Sequence, residues 1–169
     1  MTITSAQAAK LLRQYNEEYQ ALIDEEEQRH SFLAALGEEV ESVRPAYDFA
    51  ATQTALAEME SKIRRLKHAI NRFNVTTPVP DFDMTVDQML VYIPQLSKAK
   101  TRLFDLKSAL PKTRESAGGF GHAVIDYRYA NYSVEEAAAE YRRVSDLLSR
   151  AQTALDLVNS TAPLELADV

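Results

Sequence analysis

Cysteine is absent from this 169-residue chain. That excludes disulfide bonds and thiolate chemistry, and it fits a reducing compartment. Long apolar runs are absent too: none approaches the roughly 18–20 residues of a membrane-spanning helix. The opening MTITSAQAAKLLRQYNEEY lacks a basic segment followed by an apolar core, so it does not read as a secretory leader. A cytoplasmic location without a membrane partner is therefore expected. Glycine is scarce, and three of the four glycines are Gly118, Gly119 and Gly121. That run neither follows a strand nor opens a helix, so it is no phosphate loop or dinucleotide fingerprint, and no serine elbow is present.

Ligand-spaced side chains are equally sparse. Glu27 and His30 have the spacing used in carboxylate-bridged dimetal bundles. Those sites need a second such pair and two further inward glutamates, which the chain lacks. His68 and His122 have no ligand-spaced partners. No nucleophile–base pair is visible. The expectation is a protein with no catalytic residues, no metal and no cofactor, and so not an enzyme.

What the chain does have is periodicity. Hydrophobic residues make up 46% and charged residues 26%, proportions that fit a folded chain. In LAEMESKIRRLKHAINRFN the apolar residues are Leu56, Met59, Ile63, Leu66, Ile70 and Phe73. They step by three and four, forming one narrow stripe of a helix that needs a partner seam.

Helix signals recur along the chain. Thr4-Ser5-Ala6-Gln7 is a capping box, predicting a long helix over 4–37 stopped by Gly37. Its seam reads Leu12, Tyr15, Tyr19, Leu22, falters at Glu26 and Arg29, then resumes at Leu33 and Leu36. Asp24–Glu27 is an acidic block, read as a solvated face or an ion-pair site. Pro45 marks a turn at Arg44. Helices are predicted over 49–74 and 86–110, forming a central hairpin across the turn that holds Pro78 and Pro80. Thr85-Val86-Asp87-Gln88 is a second capping box. Pro94 should kink or break that helix near Leu90. Residues 112–121 have the least ordered composition; 122–129 alternates and is a possible strand. Ser133-Val134-Glu135-Glu136 caps a last helix over 134–160, with its seam at Val134, Ala137, Tyr141, Val144, Leu148, Ala151, Leu155 and Val158. The tail Leu164-Glu165-Leu166 either pairs with the 122–129 strand or trails off.

Charge is segregated. Residues 1–60 carry 4 basic and 12 acidic side chains, a net −8; residues 61–114 carry 11 and 4, a net +7; residues 115–169 carry 4 and 9, a net −5. Helices that attract one another within the chain are the preferred explanation. A basic surface made of Arg64, Arg65, Arg72, Lys98, Lys100 and Arg102 and facing nucleic acid is the other. The overall charge of −6 disfavours it, because phosphate binding depends on releasing counterions to cationic side chains.

The most unusual segment is Asp126 to Tyr132, DYRYANY. Together with Arg114, the residues Asp126, Tyr127, Tyr129, Asn131 and Tyr132 are a candidate pocket that stacks and hydrogen-bonds a planar or phosphorylated ligand. The alternative is a structural cap, with tyrosines packed over helix ends and Asn131 closing a turn. Asn71, Asn74 and Thr76 likewise either line a polar site or tie down a helix end.

Ala69–Asn74, Met84–Leu90, Pro94-Gln95-Leu96, Arg114, Ile125–Tyr132, Gln152, Ala154-Leu155-Asp156 and Asn159 together resemble the septicolysin-like family of small bacterial and phage proteins. The resemblance covers about Ile63 to Leu166. It implies a mostly helical antiparallel bundle and transfers no catalytic residue. The pore formation in the family's name does not carry over, for want of a spanning or strongly basic amphipathic segment.

The expected fold is therefore all-α: antiparallel hairpins or a coiled-coil bundle of about four helices in one domain, 1–169, with a short accessory β-ribbon. The expected role is a non-enzymatic interaction or assembly protein. Its partner is a second copy of the chain or another helical protein.

Overall fold

A computed structural model describes residues 2–115 and 126–166. Helices take up 70% of them, and strands occur only in short two-stranded antiparallel ribbons. The fold is all-α with minor β-ribbons. By contacts the chain divides into two compact units. One holds the residues up to Thr76 together with those from Leu157 onward; the other holds Thr77–Asp156.

The first unit starts with strand β1 (Thr2–Thr4) and helix α1 (Ser5–Arg29). The capping box is formed: Thr4 Oγ1 accepts from the Gln7 amide at 3.2 Å, and Gln7 Oε1 accepts from the Thr4 amide at 2.9 Å. After a single turn, α2 (Val40–Val43), comes α3 (Phe49–Thr76). The two long helices are antiparallel. Tyr19 Oη donates to Glu60 at 3.0 Å, and Gln53 Nε2 donates to Glu26 at 2.7 Å, so seven residues forward on α1 is seven back on α3.

That register explains where α1 ends. The expected stop at Gly37 is wrong: the helix ends at Arg29 with His30 as its C-cap. Carried forward, the register sets His30 opposite Phe49, the first residue of α3. Past that point an apolar stripe has no facing seam, and an isolated helical extension is marginal in water. Leu33 and Leu36 are accordingly exposed. Gly37 instead sits in a turn at φ +89°, a backbone that glycine adopts without steric cost. Arg44 is extended ahead of Pro45, as the proline requires.

The stripe of α3 turns inward. Leu66 and Phe73 are buried, with Ala69 beside them, while Leu56, Met59, Ile63 and Ile70 are half-buried. Strand β1 pairs with β6 (Pro163–Glu165) in the register Thr2↔Glu165, Ile3↔Leu164 and Thr4↔Pro163. Leu164 is buried there. Thus the tail pairs with the chain's beginning and not with the 122–129 segment. Pro163, with no N–H to give, takes the end of the ladder, where proline costs least.

The second unit opens on a tight ribbon, β2 (Pro78–Val79) with β3 (Met84–Thr85). Asp81 turns it at φ 66°, a left-handed conformation that aspartate tolerates. The ribbon leads straight into Thr85, the N-cap of α4 (Val86–Ser108), where the capping box with Gln88 is also complete. Pro94 does not break α4, which runs through it to Ser108. Leu90, whose carbonyl loses its usual donor, lies on the solvated side, where water can replace the lost bond.

Strand β4 (Lys112–Arg114) pairs with β5 (Tyr127–Tyr129), and α5 (Val134–Thr161) follows. Of the possible strand at 122–129, the residues 122–125 lie outside the described region. The Ser133 hydroxyl accepts from the Glu136 amide at 3.1 Å, opening α5. Helix α5 returns antiparallel to α4: Tyr132, just before it, reaches the last turn of α4, and the Tyr141 ring is 6.0 Å from Phe104. Val86, Met89, Leu96 and Leu103 are buried on α4, and Ala137, Val144, Leu148, Ala151 and Leu155 on α5.

Candidate functional site

Helix α4 ends at Ser108, with Ala109 already extended as its C-cap, short of the 110 expected, and β4 begins just after Pro111. In the β4–β5 ladder Lys112 faces Tyr129, Thr113 faces Arg128, and Arg114 faces Tyr127. Facing residues share a side and alternate residues switch sides. Lys112, Arg114, Tyr127 and Tyr129 therefore lie on one face; Thr113 and Arg128 lie on the other. Lys112 Nζ is 4.0 Å from the Tyr127 ring centre and 5.3 Å from that of Tyr129, within cation–π range. All four residues are exposed. Arg128 is ion-paired with Glu115 behind this face. Two further backbone bonds fix the ribbon: the Glu115 amide donates to Asp126 O at 2.9 Å, and the Ala130 amide to Pro111 O at 3.1 Å.

The six residues expected to form a pocket are thus divided. Arg114, Tyr127 and Tyr129 share the open face. Asp126 caps the ribbon through its backbone carbonyl. Tyr132 is a structural tie: its hydroxyl donates to Leu106 O at 2.8 Å, holding α5 to the end of α4. Asn131 is exposed between them. Lys112 completes the face and was not among the expected site residues. The signal for it was the Lys-x-Arg alternation, which as a strand places both cations on one side.

The residues of the expected basic surface are divided between two helices. Arg64, Arg65 and Arg72 belong to α3 in the first unit; Lys98, Lys100 and Arg102 belong to α4 in the second. Arg64 is within 3.8 Å of Glu60. On α4, Lys98 and Arg102 are four apart and share an exposed side, whereas Lys100 lies round the helix, 5.9 Å over the Tyr141 ring. Lys107 covers the same ring at 4.3 Å. Two of the basic side chains on α4 thus pack on Tyr141.

An open cleft of about 230 Å³ lies in the first unit, between α1, α3 and the 46–48 segment. Glu26, where the seam of α1 falters, lines it. The carboxylate accepts from Tyr47 Oη at 2.9 Å and Gln53 Nε2 at 2.7 Å, so a polar group at a seam position is satisfied. Partial burial, and then the hydrogen bond to Glu26, raise the pKa of Tyr47 above its ordinary value. Arg29 pairs with Glu25 at 2.8 Å. With its charges already engaged, the cleft works as a brace that pins the connection to the hairpin. Thr76 Oγ1 is similarly committed, donating to Arg72 O at 2.8 Å and tying down the end of α3.

Among the described residues no group of three or more His, Asp or Glu side chains is placed to hold a metal ion. No described helix is long and apolar enough to cross a membrane.

Neither a scan against protein-family models nor a search of curated proteins finds a match. Among solved structures, the chain is similar to the crystal structure of a functionally unknown conserved protein from Corynebacterium diphtheriae. The TM-score is 0.60 at 19% identity, over 98% of this chain and 100% of that one. At that identity the likeness shows the fold alone.

Proposed function

We propose that this is a non-enzymatic interaction and assembly protein of coiled-coil type that associates with a second copy of itself. One observation carries the reading. From residue 9 to residue 65 no side chain is buried. That stretch holds nearly all of α1, the connection and more than half of α3. Its apolar positions are patterned for burial, yet in the single chain Leu12, Tyr15, Tyr19 and Leu22 are half-covered, and Leu33, Leu36, Val40 and Phe49 are exposed. Apolar side chains left uncovered in this number mark an association site. Kinship with the septicolysin-like family belongs to the same proposal and rests on the motifs quoted above. Light scattering coupled to size exclusion tests the reading. A mass of at least twice 19.0 kDa at tens of micromolar supports it; a 19.0 kDa species at every concentration removes it.

A second reading is favoured by the β4–β5 face alone. Two tyrosines interleaved with two cations form a stacking platform of the kind that binds single-stranded nucleic acid or a nucleotide. Anisotropy of a labelled oligonucleotide at about 20 mM salt tests it, with Tyr127→Ala/Tyr129→Ala as the comparison. Equal signals from the two proteins, or none from either, remove it.

A further inference from the structure

The antiparallel register of α1 and α3 makes the first unit's hairpin electrically two-ended. Residues 17–60 carry 12 acidic and 2 basic side chains, a net −10. Residues 2–16 carry 2 basic and 61–76 carry 5, with no acidic residue in either, a net +7. The register folds 17–29 beside 49–60 at the tip and 5–16 beside 61–76 at the base. The expected attraction between acidic and basic helices is therefore not satisfied side by side within this hairpin. Like charges lie abreast, and opposite charges are separated lengthwise.

Distance makes this consequential. The 25 residues of α1 span about 37 Å, so the two charged halves are centred about 19 Å apart. The screening length at physiological salt is about 8 Å, so tip and base scarcely feel one another within one hairpin. Lys10, Arg13, Lys62, Lys67 and Arg72 are all exposed at the base. Leu33, Leu36 and Phe49 are exposed at the tip.

We infer that two copies associate by laying these hairpins side by side in opposite directions, the acidic tip of each along the basic base of the other. This deepens the assembly reading and rests on it. The opposite orientation would set −10 against −10. The antiparallel one creates two equivalent contacts about a two-fold axis, closes the assembly at two chains, and covers the half-buried seam of α1. Charge supplies the direction; the apolar surface supplies the area.

Charge reversal tests it on the full chain. A tip variant carries Glu17→Lys, Glu18→Lys, Asp24→Lys, Glu25→Lys, Glu27→Lys and Glu58→Lys, taking the tip from −10 to +2; a base variant carries Lys10→Glu, Arg13→Glu, Lys62→Glu, Arg64→Glu, Lys67→Glu and Arg72→Glu, taking the base from +7 to −5. All twelve positions are exposed, and far-ultraviolet circular dichroism verifies the fold of each variant. The expected result by light scattering is a wild-type dimer whose dissociation constant rises at least about tenfold between 50 and 500 mM salt. Each variant alone is monomeric. Mixed together they form a heterodimer, because both contacts then join opposite charges. A monomeric wild type would remove the assembly reading and this inference with it. A wild-type dimer that neither variant disrupts, or that the mixture fails to restore, overturns the tip-on-base arrangement and leaves assembly standing.

Discussion

Helices α3 and α5 are both 28 residues long and both carry apolar residues at alternating steps of three and four, yet they spend that pattern differently. Helix α5 is buried along its whole course, from Ala137 to Val158. Helix α3 is buried only in its later part, at Leu66, Ala69 and Phe73; its first 17 residues, 49–65, bury nothing. The same contrast separates their neighbours. Helix α4 buries four residues, and α1 buries only Ala8. A heptad stripe therefore specifies that a helix needs a neighbour but not how many neighbours it gets. One neighbour half-covers a stripe. Burial to zero exposure takes contacts from more than one side.

Truncating the stripe of α3 at two points separates these regimes most sharply. Leu66 is fully buried, and Leu66→Ala should cost about 2–5 kcal/mol, the usual range for a core cavity. Met89→Ala, equally buried on α4, should cost as much. Met59 lies one heptad before Leu66 on the same stripe but is only half-buried, so Met59→Ala should cost about 1 kcal/mol or less in the monomer. Urea unfolding followed by the helical signal at 222 nm measures all three. A Met59→Ala cost equal to that of Leu66→Ala would mean that the hairpin is not open.

The helix starts should respond alike despite that contrast. Thr4 and Thr85 make the same reciprocal capping box, one in each unit, and each Thr→Ala change should cost about 1 kcal/mol. The tyrosines of 127–132 should divide instead. Tyr132→Phe removes the bond to Leu106 O and should cost about 1 kcal/mol, whereas Tyr127→Phe on the open face should leave stability unchanged within error. If both changes were silent in urea unfolding, Tyr132 would not be the tie described here.

The parts of the fold legible in the sequence were those set by local chemistry. Each predicted helix start coincides with a hydroxyl cap or a proline-bounded turn, and Thr4, Thr85 and Ser133 all accept the expected amide. Helix ends were less legible, because they depend on what lies opposite. The stripe at Leu33 and Leu36 continued the spacing of α1, but α3 starts at Phe49 and offers no support beyond His30. The acidic block around Glu26 reads from the sequence as a solvated face or an ion-pair site; the partners of Glu26 are the neutral Tyr47 and Gln53, 21 and 27 residues away, too far for spacing to connect them. In the candidate site, the tyrosines and Arg114 stood out by composition. Lys112 became visible only through the ladder register, which places it opposite Tyr129 and, diagonally, beside Tyr127. The pairing of Thr2–Thr4 with Pro163–Glu165 joins the two extremes of the chain, and no local rule points to it.

The smallest expected effect comes from two ion pairs of the same kind, one in each region. Glu140 and Arg143 on α5 are 2.6 Å apart at i,i+3, and Glu41 and Arg44 in the connection are 2.8 Å apart at the same spacing. In each, the hydrogen bond from arginine and then its charge lower the glutamate pKa below its ordinary value. Such a group stabilises the fold above its unfolded pKa, and the contribution is lost as pH falls through the lowered folded value. Glu140→Gln should thus lower the urea midpoint slightly at pH 7, and the gap from wild type should narrow as the pH falls below the ordinary carboxylate range. Glu41→Gln should follow the same direction with a different readout. No side chain around Glu41 is buried, so the pair orders the connection without bearing on global unfolding. Its loss should appear as weakened nuclear Overhauser contacts between Arg44 and Phe32, whose ring lies 5.2 Å from the guanidinium, with the urea midpoint unchanged. A shift in that midpoint as large as that of Glu140→Gln would show that the connection unfolds together with the buried helices, and the division between open hairpin and closed core would fail at that point.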